Sequence, residues 1–298
     1  MNVSSVKSVI RRVLNRLSPS LTRAILGRRT ARLRIRADAI EWQSRIADVL
    51  TCPDNQRLPR VPGAGEIHDG FQLMFNGLKV AASGYYGTGM TELLRRNRGS
   101  HEPQEEAVFA DVLRRLPPGA SLMECGAYWG FYSMWFMRDV PQGTVWLIEP
   151  EIANLEVGRR NFLANGLQGH FTCAFVGKDS APSEIPRICV DDFLAQHGIA
   201  HLDILHADIQ GAEADMLDGT ARALAGKTVD YFFISTHGAD VHHACVQRLV
   251  SAEYEVPVSI LPEESYSVDG VVVAHRHGLL HSPLLIPSMK TASPSQTR

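Results

Sequence analysis

The chain has 298 residues, 45% hydrophobic and 21% charged, with a formal net charge of −2. That length suits one large α/β core with appendages, and the composition excludes a disordered or collagen-like chain. The five cysteines (Cys52, Cys125, Cys173, Cys189 and Cys245) are scattered without a C-x-x-C pair, which argues for reduced thiols and against a disulfide framework or a zinc site.

Residues 1–36 hold ten Lys or Arg and no acid, so the remainder is markedly acidic. Val3, Val6, Val9, Ile10, Val13, Leu14 and Leu17 recur at helical spacing with Lys7, Arg11, Arg12 and Arg16 between them. This is the pattern of a basic amphipathic helix. It suits peripheral contact with an anionic membrane, a docking element, a transit peptide or a helix packed on the domain. No apolar run approaches the roughly 18 residues of a membrane span. The expected location is cytoplasmic, with the leader at the inner face of the membrane as the peripheral alternative.

Residues 37–50 predict a helix, ended by the Pro/Asn/Gly-rich stretch 52–70. Two apolar runs, 71–75 and 78–82, flank Asn76-Gly77, a strong short hairpin signal. A helix follows Thr91, and 97–102 reads as a polar loop. Pro103 opens a helix carrying Val108, Phe109, Val112, Leu113 and Leu116, stopped by Pro117-Pro118-Gly119. From there strands and helices alternate. Strands are predicted over 121–125, 144–148, 170–176, 202–207 and 230–235, with helices over 132–139, 152–164, 190–197 and 211–224. A helix near 241–251 and two strands, 255–261 and 270–275, follow. The alternation predicts a doubly wound, mostly parallel sheet. The expected organisation is a leader (1–36), a helix-and-hairpin cap (37–100), the α/β domain (101–281) and a Ser/Pro/Thr-rich disordered tail (282–298).

Glu124-Cys-Gly126-Ala127-Tyr-Trp-Gly130 follows the first strand of the alternation and opens a helix. Its glycines permit a tight turn and close backbone approach to a ligand. The spacing is E-x-G-x-x-x-G, without the third glycine of a dinucleotide fingerprint. An acid two residues before the first glycine repels phosphate and suits an ammonium group. The competing reading is a packing turn. Glu149 closes the second strand, about 20 residues on, where an acid takes both ribose hydroxyls. The third block, Leu202 to Glu213, brings His206 and Asp208 to one strand face, and Phe232 to Gly238 ends a neighbouring strand in His237.

With these blocks the sequence resembles the FkbM family of S-adenosylmethionine-dependent methyltransferases, in MECGAYWGFYS, WLIEP, NFLANG, DILHADIQGAEADML and THG, with HEPQEE upstream. The resemblance covers about residues 85–275. It implies a class I methyltransferase (Rossmann-like) fold whose seven-stranded sheet ends in an antiparallel strand, and O-methylation of a sugar, polysaccharide or natural-product hydroxyl. Carried over, Glu124, Gly126, Ala127, Gly130, Glu149 and Asp208 bind the cofactor. The chain departs at His206 and Gln210, where many members carry Lys and Glu.

Transfer to oxygen needs alignment and a proton acceptor. His237 is the first candidate base and His206 the second, with Asp208 orienting either one or holding a divalent ion. The twelve histidines show no H-x-x-x-H with a third ligand, so the expectation is a metal-free site. A small-molecule or glycan acceptor and no nucleic acid are expected. Two alternatives remain: a methyltransferase-like binding protein without catalysis, and an NAD-dependent oxidoreductase.

Overall fold

The computed structural model describes residues 40–290, and the chain divides into two units, 1–44 and 45–298. The basic leader and the last eight residues of the expected tail lie outside the described residues. Of the first unit, 40–44 are described and are helical; the second opens helically over 45–51, with a 3-10 turn at Pro53–Arg57.

The Asn-Gly hairpin forms a small antiparallel sheet, β1 (Ile67–His68), β2 (Phe71–Leu73) and β3 (Lys79–Ala81). Its strands are shorter than the apolar runs, because Met74 to Leu78 fold into the turn, where the Met74 N–H donates to the Leu78 carbonyl at 2.8 Å. Two helices follow, α1 (Gly87–Arg96) and α2 (Pro103–Leu113). The alternating region then supplies β4 (Ser121–Cys125), α3 (Phe131–Asp139), β5 (Thr144–Ile148), α4 (Ile152–Ala164) and β6 (His170–Thr172). The free edge of β3 is covered by α4: the N–H groups of Ala81 and Lys79 donate to the side-chain oxygens of Asn161 and Asn165, at 2.7 and 2.9 Å.

The predicted strand over 170–176 breaks. β6 is an edge strand of the main sheet, and beyond it β7 (Phe175–Val176) pairs instead with β8 (Arg187–Ile188). After α5 (Val190–Gln196) comes β9 (Leu202–Ala207). The predicted helix over 211–224 is two, α6 (Glu213–Asp218) and α7 (Ala221–Gly226). The break is stabilised by Asp191, whose carboxylate accepts from the N–H groups of Arg222 and Ala223 at 2.6 and 3.0 Å and so caps the second helix. β10 (Val229–Thr236), α8 (Ala239–Ser251), β11 (Tyr254–Ile260) and β12 (Gly270–Arg276) complete the order.

The seven-stranded sheet runs β6-β5-β4-β9-β10-β12-β11. β4, β5, β6, β9 and β10 are parallel, and β12 is antiparallel to both β10 and β11. Numbered by the order of its strands along the chain, that is 3-2-1-4-5-7-6 with the last strand reversed, the class I methyltransferase (Rossmann-like) fold. Strand order reverses between β4 and β9, where a doubly wound sheet opens its ligand crevice. The core strands are apolar on both faces: Leu122, Met123, Ile204, Leu205, Phe232 and Phe233 are all fully buried.

Residues 282–290 do not fit the expected disordered tail. They form a strap held at several points. Arg115 donates to the carbonyls of Ser282 and Pro283 (3.0 and 2.9 Å), and the Leu285 N–H donates to Asp111 (3.1 Å). Further on, Arg57 donates to the Ile286 carbonyl (2.8 Å) and the Ser288 N–H to Asp54 (2.8 Å), while Leu284 is buried. Ser, Pro and Thr composition marks a segment without its own core, but not one whose backbone is bound by other side chains. No helix among the described residues is long and apolar enough to cross a membrane.

Candidate active site

At the carboxyl ends of β4, β5 and β9 lies a cavity of about 510 Å3, within the size range of small-molecule sites. Glu124, Gly126, Ala127, Glu149, His206 and Asp208 all line it. Gly130 and His237 do not.

The turn after β4 is built by backbone constraints. Gly126 has φ +77°, and a Cβ there would fall 1.8 Å from the Asp208 carbonyl oxygen, so the β4 and β9 loops pack as closely as a glycine allows. The Gly126 and Ala127 N–H groups both donate to the Ile148 carbonyl, tying the turn to β5. Gly130 caps α3 with φ +71°, and a Cβ there would press on Leu147 and Phe162 at 3.0 Å. Its part is packing behind the turn.

Glu124 is 3% exposed and accepts from the Ser133 N–H in the first turn of α3 at 3.0 Å. Burial raises its pKa, against the nearby His206 and the Ser133 bond. Glu149 accepts from the Tyr128 N–H at 3.2 Å with one oxygen. With the other it accepts from the Glu151 N–H (3.0 Å) and Asn154 Nδ2 (3.2 Å). Four partners of a carboxylate's capacity are not exhausted by three bonds, so Glu149 can still accept from a ligand.

His206 lies on β9 in register with Glu124 on β4. Its Nε2 is 2.7 Å from Glu105 Oε1. Burial opposes the charged ring, but the bond to Glu105 and the charges of Glu105, Glu124 and Asp208 outweigh it and raise the pKa. His237, the first candidate base from sequence, is enclosed by three carboxylates. Its Nδ1 is 2.8 Å from Glu213, and its Nε2 is 3.3 Å from Asp208 and 3.2 Å from Asp269. Burial again opposes the charge, yet the Glu213 bond and the Asp269 and Asp208 charges raise His237 to about 9. Both its nitrogens lie against these carboxylates, and unlike His206 the ring does not line the cavity. Asp208 is raised as well, which for a carboxyl disfavours the charge: burial, then the charges of Glu102 and Asp269, push it up to about 7.

The structure adds groups from the loop before α2 and from the start of α3. His101 sits between Glu106 (2.7 Å) and Glu102 (3.4 Å), and Tyr132 donates to Glu102 at 3.1 Å. Tyr85 stacks on Trp129 with centroids 4.3 Å apart and lines the cavity beside Tyr86 and Tyr128. One signal was legible. Glu105 precedes Val108, Phe109 and Val112 by three, four and seven residues, which puts an acid on the apolar stripe of its helix.

Among the described residues, one trio has metal-ligand spacing, His201, Asp203 and Asp230. It belongs to the opposite ends of β9 and β10, and Asp230 is already paired with Arg276 at 2.8 Å.

No family model and no curated protein matches the chain. Among solved structures it is similar to precorrin-6y C5,15-methyltransferase from Geobacter metallireducens GS-15 (TM-score 0.42, 15% identity, 58% of this chain and 87% of that one). It is also similar to M. capricolum TrmK in complex with S-adenosyl-homocysteine (0.41, 11%, 57% and 67%). A third is magnesium protoporphyrin IX methyltransferase from Synechocystis PCC 6803 with bound SAM (0.40, 13%, 58% and 77%). Likeness at this level carries no functional conclusion.

Proposed function

We propose that this chain is an S-adenosylmethionine-dependent methyltransferase of FkbM type, acting on a hydroxyl of an uncharged small-molecule or glycan acceptor. The observation that carries the reading is the donor set of the cavity. Glu102, Glu124, Glu149 and Asp208 line it, and none of the described lining residues is Lys or Arg. Such a wall repels the pyrophosphate of a dinucleotide and the phosphate or carboxylate of an anionic acceptor. It suits a ligand bearing an ammonium and a sulfonium.

Glu149 would accept from a ribose hydroxyl through its remaining acceptor position, and Glu124 would hold the ammonium end, with the Gly126-Ala127 turn against the ligand. The cofactor, when bound, supplies an electrophilic methyl on a positively charged sulfur. The chain supplies orientation, exclusion of water by Tyr85, Tyr86, Tyr128 and Trp129, and carboxylate and imidazole groups for the acceptor's proton. His237 would act as a fixed positive charge that holds Asp208, not as the base. The proposed catalytic domain is 101–281, with 37–100 as its cap.

Glu149→Ala should weaken S-adenosylmethionine binding by about 1.5–3 kcal/mol, roughly ten- to a hundredfold in Kd, as read by calorimetric titration. Unchanged affinity would remove Glu149 from the site. Binding of NAD by the unaltered protein, with none of S-adenosylmethionine, would replace the whole reading by an oxidoreductase.

A further inference from the structure

His206 lines the cavity, is 2% exposed, and has no hydrogen-bond partner for its Nδ1. Buried polar atoms are nearly always paired, and leaving one unpaired is costly. The ring is fixed all the same. Its Nε2 meets Glu105 Oε1 at 2.7 Å, and the other oxygen of Glu105 accepts from Ser235 Oγ at 2.8 Å. Tyr132 packs against the ring with centroids 4.3 Å apart. Thus α2, β10 and α3 each hold one part of a cavity-lining histidine whose remaining nitrogen is buried without a partner.

A carboxylate can only accept, so an ionised Glu105 keeps a hydrogen on Nε2. In the neutral ring the lone pair then belongs to Nδ1. We propose that Nδ1 of His206 is the atom that takes the proton of the acceptor hydroxyl, and that Glu105 is the positioning residue that fixes its tautomer. The inference rests on the methyltransferase reading given above. The hydroxyl hydrogen passes to Nδ1 while the O–H electron pair stays on oxygen. Oxygen uses that pair to bond the methyl carbon, and the carbon–sulfur pair returns to sulfur. The imidazolium formed keeps Nε2–H toward Glu105 and gives its extra proton to water after the product leaves.

The charged and titratable groups that face the ring are Glu105 on α2, Glu124 on β4 and Asp208 at the end of β9, with the Tyr132 ring of α3 packed against it and its hydroxyl donating to Glu102. The three carboxylates favour the protonated ring, so in the free protein His206 is drawn toward the form that cannot accept. A cationic ligand in the cavity opposes them. An ammonium held by Glu124 and a sulfonium in the same cavity would both disfavour imidazolium, so His206 would keep its lone pair with the charged ligand bound. The neutral thioether of S-adenosylhomocysteine lacks the sulfonium part of that effect. The site is therefore armed by the methyl donor and disarmed by its product.

The test is nitrogen NMR of the full chain with labelled histidine, the His206 signals being assigned by their loss in His206→Gln. Titrations are run free, with S-adenosylhomocysteine, and with the charged, unreactive analogue sinefungin. The expected result has hydrogen on Nε2 and an unprotonated Nδ1 in the sinefungin complex. His206 should titrate about one pH unit lower there than with S-adenosylhomocysteine. Glu105→Gln should lower the value in the free protein and mix the two tautomers, and Glu105→Asp should restore part of both effects. Hydrogen on Nδ1 in the sinefungin complex would overturn the proposal, as would a titration indifferent to Glu105→Gln. A tenfold or greater loss of S-adenosylhomocysteine affinity in His206→Gln, with the melting temperature unchanged, would make the histidine a cofactor contact instead. If the unaltered protein binds neither ligand, the methyltransferase reading fails first, and the tautomer in the free protein no longer bears on catalysis.

Discussion

His237 shows how a single histidine can clamp acids from separate parts of the chain. Its ring joins Asp208 and Glu213, both in the β9–α6 segment, to Asp269 in the loop before β12. Held at about 9, it is protonated in the folded chain and loses that charge at about 6.5 in the unfolded one. Its contribution to stability is therefore complete below pH 6.5 and fades as pH rises through 9. Asp208 works in the same direction at lower pH, because a carboxyl titrating at about 7 when folded and near 4 when unfolded binds its proton more tightly in the native state. From these shifts His237 should be worth about 2–3 kcal/mol at neutral pH, given its small exposure. Melting temperature followed from pH 6 to 9.5 should fall more steeply for the unaltered protein than for His237→Gln, the two curves converging at the alkaline end. Parallel curves would mean that the ring is not charged in the folded state.

Among the elements, those with their own punctuation were legible. Asn76-Gly77 predicted the hairpin, Pro103 opens α2 as predicted, and β4, β5 and β9 fall on their predicted bounds, whereas α2 ends at Leu113, short of the predicted Leu116 and the Pro117-Pro118 stop. Each of these is specified by residues within the segment. What was missed depends on partners far along the chain. The break between α6 and α7 is stabilised by Asp191, and the place of Glu105 in the site depends on His206 of β9 and Ser235 of β10. The strap is the extreme case, since Arg57, Asp54 and Arg115 supply its bonds. Its ordering gives a decisive comparison. A chain ending at His281 should lose about 2–4 kcal/mol in denaturant unfolding, from the burial of Leu284 and several backbone bonds. An unchanged midpoint would restore the disordered tail. Gln104, next to Glu105, donates to the Ser288 carbonyl at 2.6 Å, so the same truncation loosens the start of α2.

For the whole molecule, charge is divided between a leader with ten basic residues and an acidic remainder. We propose that residues 1–36 attach the protein reversibly to anionic lipid. Each basic residue near such a surface contributes about 1 kcal/mol, over roughly a Debye length. The full chain should co-sediment with anionic vesicles in low salt and be released near about 0.5 M salt, where the Debye length shrinks to a few ångströms. A version starting at Asp38 should remain in the supernatant under both conditions. Indifference of the full chain to vesicles would make the leader a docking or packing helix. The strap has a consequence of another kind, in time. Its bonds join residues 229 and 234 positions apart, Arg57 to Ile286 and Asp54 to Ser288. Contacts of that separation wait until the intervening chain has collapsed, because the loop they close is entropically expensive before then. The sheet can thus form while α2 is still unpinned, and refolding passes from a scaffold without its buried acids to one that has them. Ligand competence should accordingly lag behind secondary structure during refolding.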